Sequence, residues 1–168
     1  MNSWEIARLL VRIAKGDDGA LAHLYQKTAK GVYAFLYSYL RNKEDTEDAL
    51  QTVYLKVKRG ASSFSEGTNG KAWLLQIAKN HALNELKRKD KVLPLDSVAE
   101  PSTEGGFGVV GDAMQRVLNH EEQRIIILHV LWGYRHREIA KITDCPVGTI
   151  TSKYKRAIDK LRQALKEE

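Results

Sequence analysis

The stretch GYRHREIAKITDCPVGTITSKYKRAIDKLRQALK, residues 133–166, decides the fold of its half of the chain. It holds a short helical pattern from Arg135 to Thr143, a break at Asp144-Cys145-Pro146, and a second, basic helical pattern. That succession is how a helix-turn-helix is written. Ile139, Ala140 and Ile142 give the short helix its buried side, and Ala140 is small enough to let a second helix cross closely. Asp144 enters the left-handed turn conformation more easily than most residues. Pro146 has its φ preset and no N–H to lose, so it suits the first turn of the helix that follows. Val147, Ile150, Tyr154, Ala157, Ile158, Leu161 and Leu165 then recur at intervals of three and four as one apolar stripe. At about 100° per residue the opposite face carries Thr149, Ser152, Lys155, Arg156 and Gln163, with Thr151 and Lys153 at its edges. Between 153 and 166 six Lys or Arg stand against one Asp, so phosphate attraction belongs to this helix. An ordinary surface helix with a solvated basic face would share that charge; the tight turn and the short helix before it favour docking on DNA.

With 168 residues, 43% hydrophobic and 29% charged, the chain has the composition of a soluble globular protein of one domain or two small ones. The start, Met-Asn-Ser-Trp-Glu, has no basic segment followed by an apolar run, and the longest apolar stretches, 125–128 and 130–132, fall far short of a membrane span. A cytoplasmic protein without membrane insertion is expected. The single cysteine, Cys145, excludes an internal disulfide and reads as a small half-buried turn residue. The five histidines are scattered, no carboxylate pair has a metal-ligand context, and no glycine loop precedes a helix to cradle phosphate. No catalytic residue, metal or cofactor is therefore expected, which argues against an enzyme acting on nucleic acid.

The net charge of +6 is unevenly spread. Residues 1–92 carry 16 basic against 10 acidic groups, residues 93–112 none against 4, and residues 113–168 carry 11 against 7. The middle segment, with Pro94, Pro101, Gly105, Gly106, Gly108 and Gly111, reads as a flexible acidic linker between two basic modules. Two such modules can grip one polyanion at separate places while the tether is repelled from it; a merely solvated loop of the same composition is the equal alternative.

The first module is helical in pattern. Ser3 can cap a helix with Ile6, Leu9, Leu10 and Ile13 buried, ending near Gly16. A second helix is expected from Ala20 to about Leu40, with Leu21, Leu24, Tyr25, Val32, Phe35, Leu36 and Tyr39 inside. A third runs from Lys43 to about Arg59, its early acids offsetting the helix dipole and its stripe formed by Ala49, Leu50, Val53, Tyr54 and Val57. A loop from Gly60 to Gly70 contains one residue of buried type, Phe64, and a fourth helix from Lys71 to about Lys89 follows, ending in a basic run. In the second module a helix starts at Asp112 or Ala113. Asn119-His120-Glu121-Glu122 has capping-box spacing, followed by Ile125, Ile126, Leu128, Val130 and Leu131 and closed by Gly133. The fold class is thus all-α: two small helical domains, 1–92 and 113–168, joined by residues 93–112.

Taken together, Asp48-Ala49-Leu50-Gln51-Thr52-Val53-Tyr54-Leu55-Lys56, Trp73-Leu74-Leu75-Gln76-Ile77-Ala78-Lys79-Asn80, Gly133-Tyr134, Glu138-Ile139-Ala140, Val147-Gly148-Thr149-Ile150 and Arg156-Ala157 resemble a bacterial extracytoplasmic-function (ECF) sigma factor. The order and spacing of these motifs carry the resemblance, which leaves only the linker unmatched. It implies that residues 1–92 dock on the clamp of core RNA polymerase and read and melt the -10 element, and that residues 113–168 read the -35 element. Melting requires a pocket for an extruded base and a basic path for the freed strand. The resemblance puts that capture in the loop from Ser62 to Lys71, with Phe64, Asn69 and Lys71 as contacts and Asn80, Asn84, Lys87 and Arg88 on the next helix. Phe64 is either an anchor or a base contact, and Trp73 reads as core. Asp48 and Gln51 resemble the clamp-binding positions, although Asp48 would also offset a helix dipole. Arg124 is implied to face the DNA backbone or the polymerase flap. Thr149, Thr151, Ser152, Lys153, Lys155 and Arg156 are implied -35 contacts, Arg156 being the reader expected for guanine. An anti-sigma factor is a further implied partner. Arg135, Lys58, Asn119-His120 and Thr151 depart from the pattern, and Thr151 leaves the promoter sequence open. A stand-alone helix-turn-helix regulator with a helical dimerisation or sensing domain is the alternative.

Overall fold

The computed structural model describes residues 1–92 and 108–167. These residues form eight α-helices and no strand, and they divide into two compact units, the first essentially within residues 1–92 and the second essentially within 108–167.

The first unit holds α1 (Ser3–Ala14), α2 (Asp18–Leu40), α3 (Lys43–Gly60) and α4 (Gly70–Val92). Asn2, one residue ahead of the expected Ser3, caps α1: its Oδ1 accepts from Glu5 N at 2.9 Å while Glu5 Oε2 accepts from Asn2 N at 2.9 Å. This reciprocal box satisfies donors a helix start leaves orphaned, while the Ser3 hydroxyl is engaged with Asn69 Oδ1. Gly16, at φ +88°, turns the chain, and Asp17 caps α2 by accepting from Ala20 N at 3.0 Å. Arg12 bonds the same carboxylate at 2.7 Å, and together these bonds hold the Asp17 pKa below its ordinary value. Ile6, Leu10, Leu24, Val32, Phe35, Leu36, Val53 and Leu74 form the core. The expected α3 stripe, Ala49, Leu50, Val53, Tyr54 and Val57, is buried throughout. Tyr25 departs from expectation: it is 42% exposed and lays its ring edge-on against Tyr54, with centroids 4.8 Å apart. α3 is tied to α2 by the 2.6 Å bond between Tyr54 Oη and Thr28 Oγ1, whose hydroxyl also reaches Leu24 O. Burial raises the Tyr54 pKa, keeping the phenol a neutral partner.

The second unit holds α5 (Gly108–Val117), α6 (His120–Ile126), α7 (His136–Thr143) and α8 (Val147–Ala164). α5 starts at Gly108, so the last residues assigned to the linker are helical and Gly111 is buried; residues 93–107 lie outside the described residues. Glycine at these positions read as loop; Gly108, exposed at φ +66°, still begins the helix, and at Gly111 burial outweighs weak helix propensity. The Asn119 box forms as expected, Glu122 N donating to Asn119 Oδ1 at 2.9 Å. Beyond Ile126 the backbone widens into a π-helical turn, Ile127–Leu131, in which Trp132 N reaches back to Ile127 O at 3.2 Å. The extra residue in that turn rotates Val130 and Leu131 out of the expected apolar face, leaving them 62% and 57% exposed, and turns Trp132 inward. Gly133 then leaves the helix at φ +70°. Ala113, Leu118, Ile126, Ala157, Leu161 and Ala164 make one core cluster. Val147 and Leu165, expected in the α8 stripe, are each 41% exposed because they sit at its ends, beyond the reach of α5 and α6.

Candidate nucleic-acid interface

The helix-turn-helix has the expected local chemistry. Asp144 takes the left-handed conformation at φ +54° and ψ +39°, and Cys145 N returns to Ala140 O at 3.0 Å. Pro146 lies at the cap position of α8, φ -60°, rather than inside its first turn. Arg135 has no side-chain acceptor to cap α7, and Glu138 substitutes by accepting from Arg135 N at 2.8 Å.

α8 presents Thr151, Ser152, Lys155 and Arg156 to solvent, with Thr149 half-buried at the edge. Lys153 is withdrawn from that face. Its ammonium pairs with Glu121 of α6, its side chain is only 22% exposed, and the pairing lowers the Glu121 pKa. Two turns on, Lys160 donates to both Glu122 oxygens at 2.9 Å. Glu122 is 4% exposed, so one carboxylate closes the α6 capping box and anchors α8 in the same place. At about 100° per residue Thr149, Lys153 and Lys160 fall within about 40° of one another on the flank nearest α6, Arg156 lies directly beside them, and Ser152 and Lys155 extend the exposed face away from α6. Of the six basic residues between 153 and 166, Lys153 and Lys160 pair with glutamates of α6 and Arg162 meets Asp159 at 3.7 Å.

His136, unassigned in the sequence, bonds Thr151 Oγ1 through Nδ1 at 3.1 Å. Its ring lies 5.1 Å from that of His129 and 4.9 Å from Tyr154. Thr151 thus leans on a three-ring cluster of His129 from the π-helical turn, His136 at the start of α7 and Tyr154 of α8 itself, a contact between α7 and α8 that spacing cannot show.

In the first unit the loop after α3 opens with a 3-10 turn, Ala61–Ser63, and Phe64 closes it. Phe64 is only 9% exposed and packs edge-on against Trp73, centroids 5.6 Å apart. Without DNA, Phe64 occupies the anchor position of the two its sequence context allows. Trp73 is half-buried over Gly60, in keeping with its reading as core. Asn69 is exposed and caps α4, its Oδ1 accepting from Ala72 N at 3.0 Å and from Ser3 Oγ at 2.5 Å. Lys71, two residues on, is half-buried. Along α4, Asn80, Asn84, Lys87 and Arg88 are all exposed on one side; Asn80 accepts from Gln76 at 2.8 Å and Arg88 pairs with Glu85 at 2.8 Å. Asp48 and Gln51 are exposed on α3, and Leu55, one turn further, is 52% exposed on the same face.

No His/Cys/Asp/Glu group suited to a metal and no helix long and apolar enough to cross a membrane occurs among the described residues. Residues 24–92 match the family model Sigma-70 region 2, and residues 113–161 match Sigma-70, region 4. The ECF RNA polymerase sigma factor SigK of Mycobacterium bovis is 27% identical over 177 aligned residues, covering 97% of this chain and 95% of its own. SigM of Mycobacterium tuberculosis, also an ECF RNA polymerase sigma factor, is 29% identical over 164 residues, 95% of this chain and 84% of its own. The sigma factor RpoE of Bartonella quintana, solved in complex with the anti-sigma factor NepR, superposes with a TM-score of 0.63 at 26% identity, covering 86% of this chain and 96% of its own. With both sigma regions matched in order, each on its own helical unit, the chain belongs to the extracytoplasmic-function sigma factors.

Proposed function

We propose that this chain is a dissociable, non-catalytic specificity subunit that binds core RNA polymerase in the cytoplasm and directs promoter-specific initiation. The observation that carries this reading is the pairing, in one chain, of two separately packed helical units that each expose a donor-rich face. On α8 that face is Thr151, Ser152, Lys155 and Arg156; on α4 it is Asn80, Asn84, Lys87 and Arg88.

Residues 113–168 read the -35 element by laying α8 in the major groove, where a side chain on the outward face reaches base edges and a guanidinium can bridge two acceptors of guanine. Arg156 is the reader, Lys155 the phosphate contact, and Ser152 and Thr151 complete the readout, with Thr149 at its edge. Residues 1–92 hold the polymerase clamp with Asp48, Gln51 and Leu55, and take up the melted -10 strand between the Asn69–Lys71 turn and the Asn80–Arg88 face. An amide edge can both donate and accept, so asparagines there suit unpaired bases, and Lys87 and Arg88 suit the phosphates that follow. An anti-sigma factor would silence the chain by covering these same faces.

The test is run-off transcription with purified core polymerase on a promoter library. The chain and core together should start transcripts at a defined -35/-10 pair, while the chain alone binds duplex DNA weakly. Tight, specific duplex binding by the chain alone, with no polymerase association, would leave the stand-alone regulator as the correct reading.

A further inference from the structure

The first unit carries an aromatic groove that none of the roles above uses. Trp4, on the first turn of α1, is 76% exposed, more than any other large hydrophobic residue among those described. Together with Ala7 and Val11 it lines an open groove of about 520 Å³, whose far wall is the capture loop at Glu66, Gly67 and Thr68. The groove is built into that loop. Ser3 Oγ donates to Asn69 Oδ1 at 2.5 Å, and α1 approaches so closely that a Cβ on Gly70 would lie 2.6 Å from Ala7 N. Arg8 and Arg12 line this groove and also a second one of about 360 Å³ that continues between α1 and α2 past His23 and Lys27. Arg12 is held by Asp17 at 2.7 Å, which leaves Arg8 as the exposed cation at the junction.

An exposed ring beside a cationic path is the arrangement that binds single-stranded nucleic acid, the ring stacking a base and the cations following the backbone. We propose that Trp4 stacks on one unpaired base of the melted promoter strand, next to the base captured at the Asn69–Lys71 turn, with Arg8 on the adjoining phosphate. This rests on the assignment of residues 1–92 to the -10 element. Glu66 is the one acid on the loop wall; a carboxylate there accepts from an exocyclic amine, so the stacked base is an adenine, cytosine or guanine rather than thymine. Trp4 faces solvent, and its replacement leaves the Asn2 cap and the α1 core intact.

The experiment reconstitutes the full chain with core polymerase and measures the lifetime of open complexes on a promoter recovered from the run-off library. Trp4→Ala should shorten that lifetime about tenfold, as loss of one stacked base implies, and Trp4→Phe should restore it to within about twofold, with core binding unchanged in both. Abasic sites are then walked along the non-template strand. At one position the abasic site should shorten the wild-type lifetime as much as Trp4→Ala does, and should shorten the Trp4→Ala lifetime no further. If the wild-type holoenzyme forms no open complex, the functional reading falls and this one with it. If it forms one and Trp4→Ala matches it, or no abasic position is silent in Trp4→Ala, the stacking proposal alone is overturned. Loss of core binding in Trp4→Ala would overturn it as well, making Trp4 a protein contact.

Discussion

The two units hold their working surfaces in different ways. In the first, the loop is seated by close backbone packing and neutral hydrogen bonds: Gly70 against Ala7, Ser3 to Asn69, Phe64 against Trp73. In the second, α8 is fixed by ion pairs to consecutive glutamates of α6, Lys153 to Glu121 and Lys160 to Glu122. Close packing tolerates no added atom but is indifferent to salt; ion pairs with one partner still open to water, Glu121 at 58% and Lys160 at 45%, are in part screened by it. The first surface should therefore be brittle to volume, and the second tunable by charge.

Gly70→Ala tests the first half of that contrast most severely. Its Cβ would press on the backbone of Ala7, with no flexible side chain to yield, and the strain should destabilise the first unit by about 1–3 kcal/mol or more, read by calorimetry. An unchanged melt would mean that α1 slides freely over the loop. In the second unit, Arg156→Ala should leave stability alone and lose about 1–3 kcal/mol of discrimination between -35 sequences, read by competition among promoters in holoenzyme transcription. Uniform weakening on every sequence would show Arg156 to be a phosphate contact only. Asn119→Ala removes the cap whose Glu122 partner also anchors Lys160, and should lower the stability of the second unit by about 1 kcal/mol, more at low salt than at high.

The flanks of α8 allow a sharper comparison. Lys155→Ala should reduce the salt slope of promoter binding by about one, while Lys153→Ala, already neutralised by Glu121, should reduce it by less. Equal slopes would mean that Lys153 leaves Glu121 on binding. The smallest effect is on pH. His81 is 8% exposed, and burial first and the neighbouring Lys56 ammonium second hold its pKa below the ordinary value. The folded unit therefore prefers the neutral ring: its stability is full above about pH 6.5, where the free imidazole is already neutral, and declines as the pH falls toward the lower folded value. His81→Gln should flatten that decline in melts of the first unit between about pH 7 and pH 5.

Much of this architecture was legible in the chain. The α3 stripe, the Asn119 box, the Asp144 turn and the order of the helices follow from periodicity and capping chemistry, which are local. The misreadings share a cause. Ser3, Tyr25, Val130 and Leu131 read one way from their own neighbourhood, and each is decided by something distant or by a change of helical pitch. Asn2 outcompetes Ser3 as the cap because Ser3 turns to Asn69, 66 residues away. The π-helical turn shifts the phase of the apolar pattern, and periodicity cannot anticipate a change of period.

The sequence by itself determined that the chain is all helix, that its two halves are basic, that the second is a helix-turn-helix, and that the order of its motifs is that of an ECF sigma factor. Hydrophobic period, caps and charge are written residue by residue. Which cations remain exposed to meet phosphate, which aromatic supports the loop and which faces solvent, were decided only in three dimensions. Burial and ion pairing depend on what lies across the gap, and across the gap from Lys153 is Glu121.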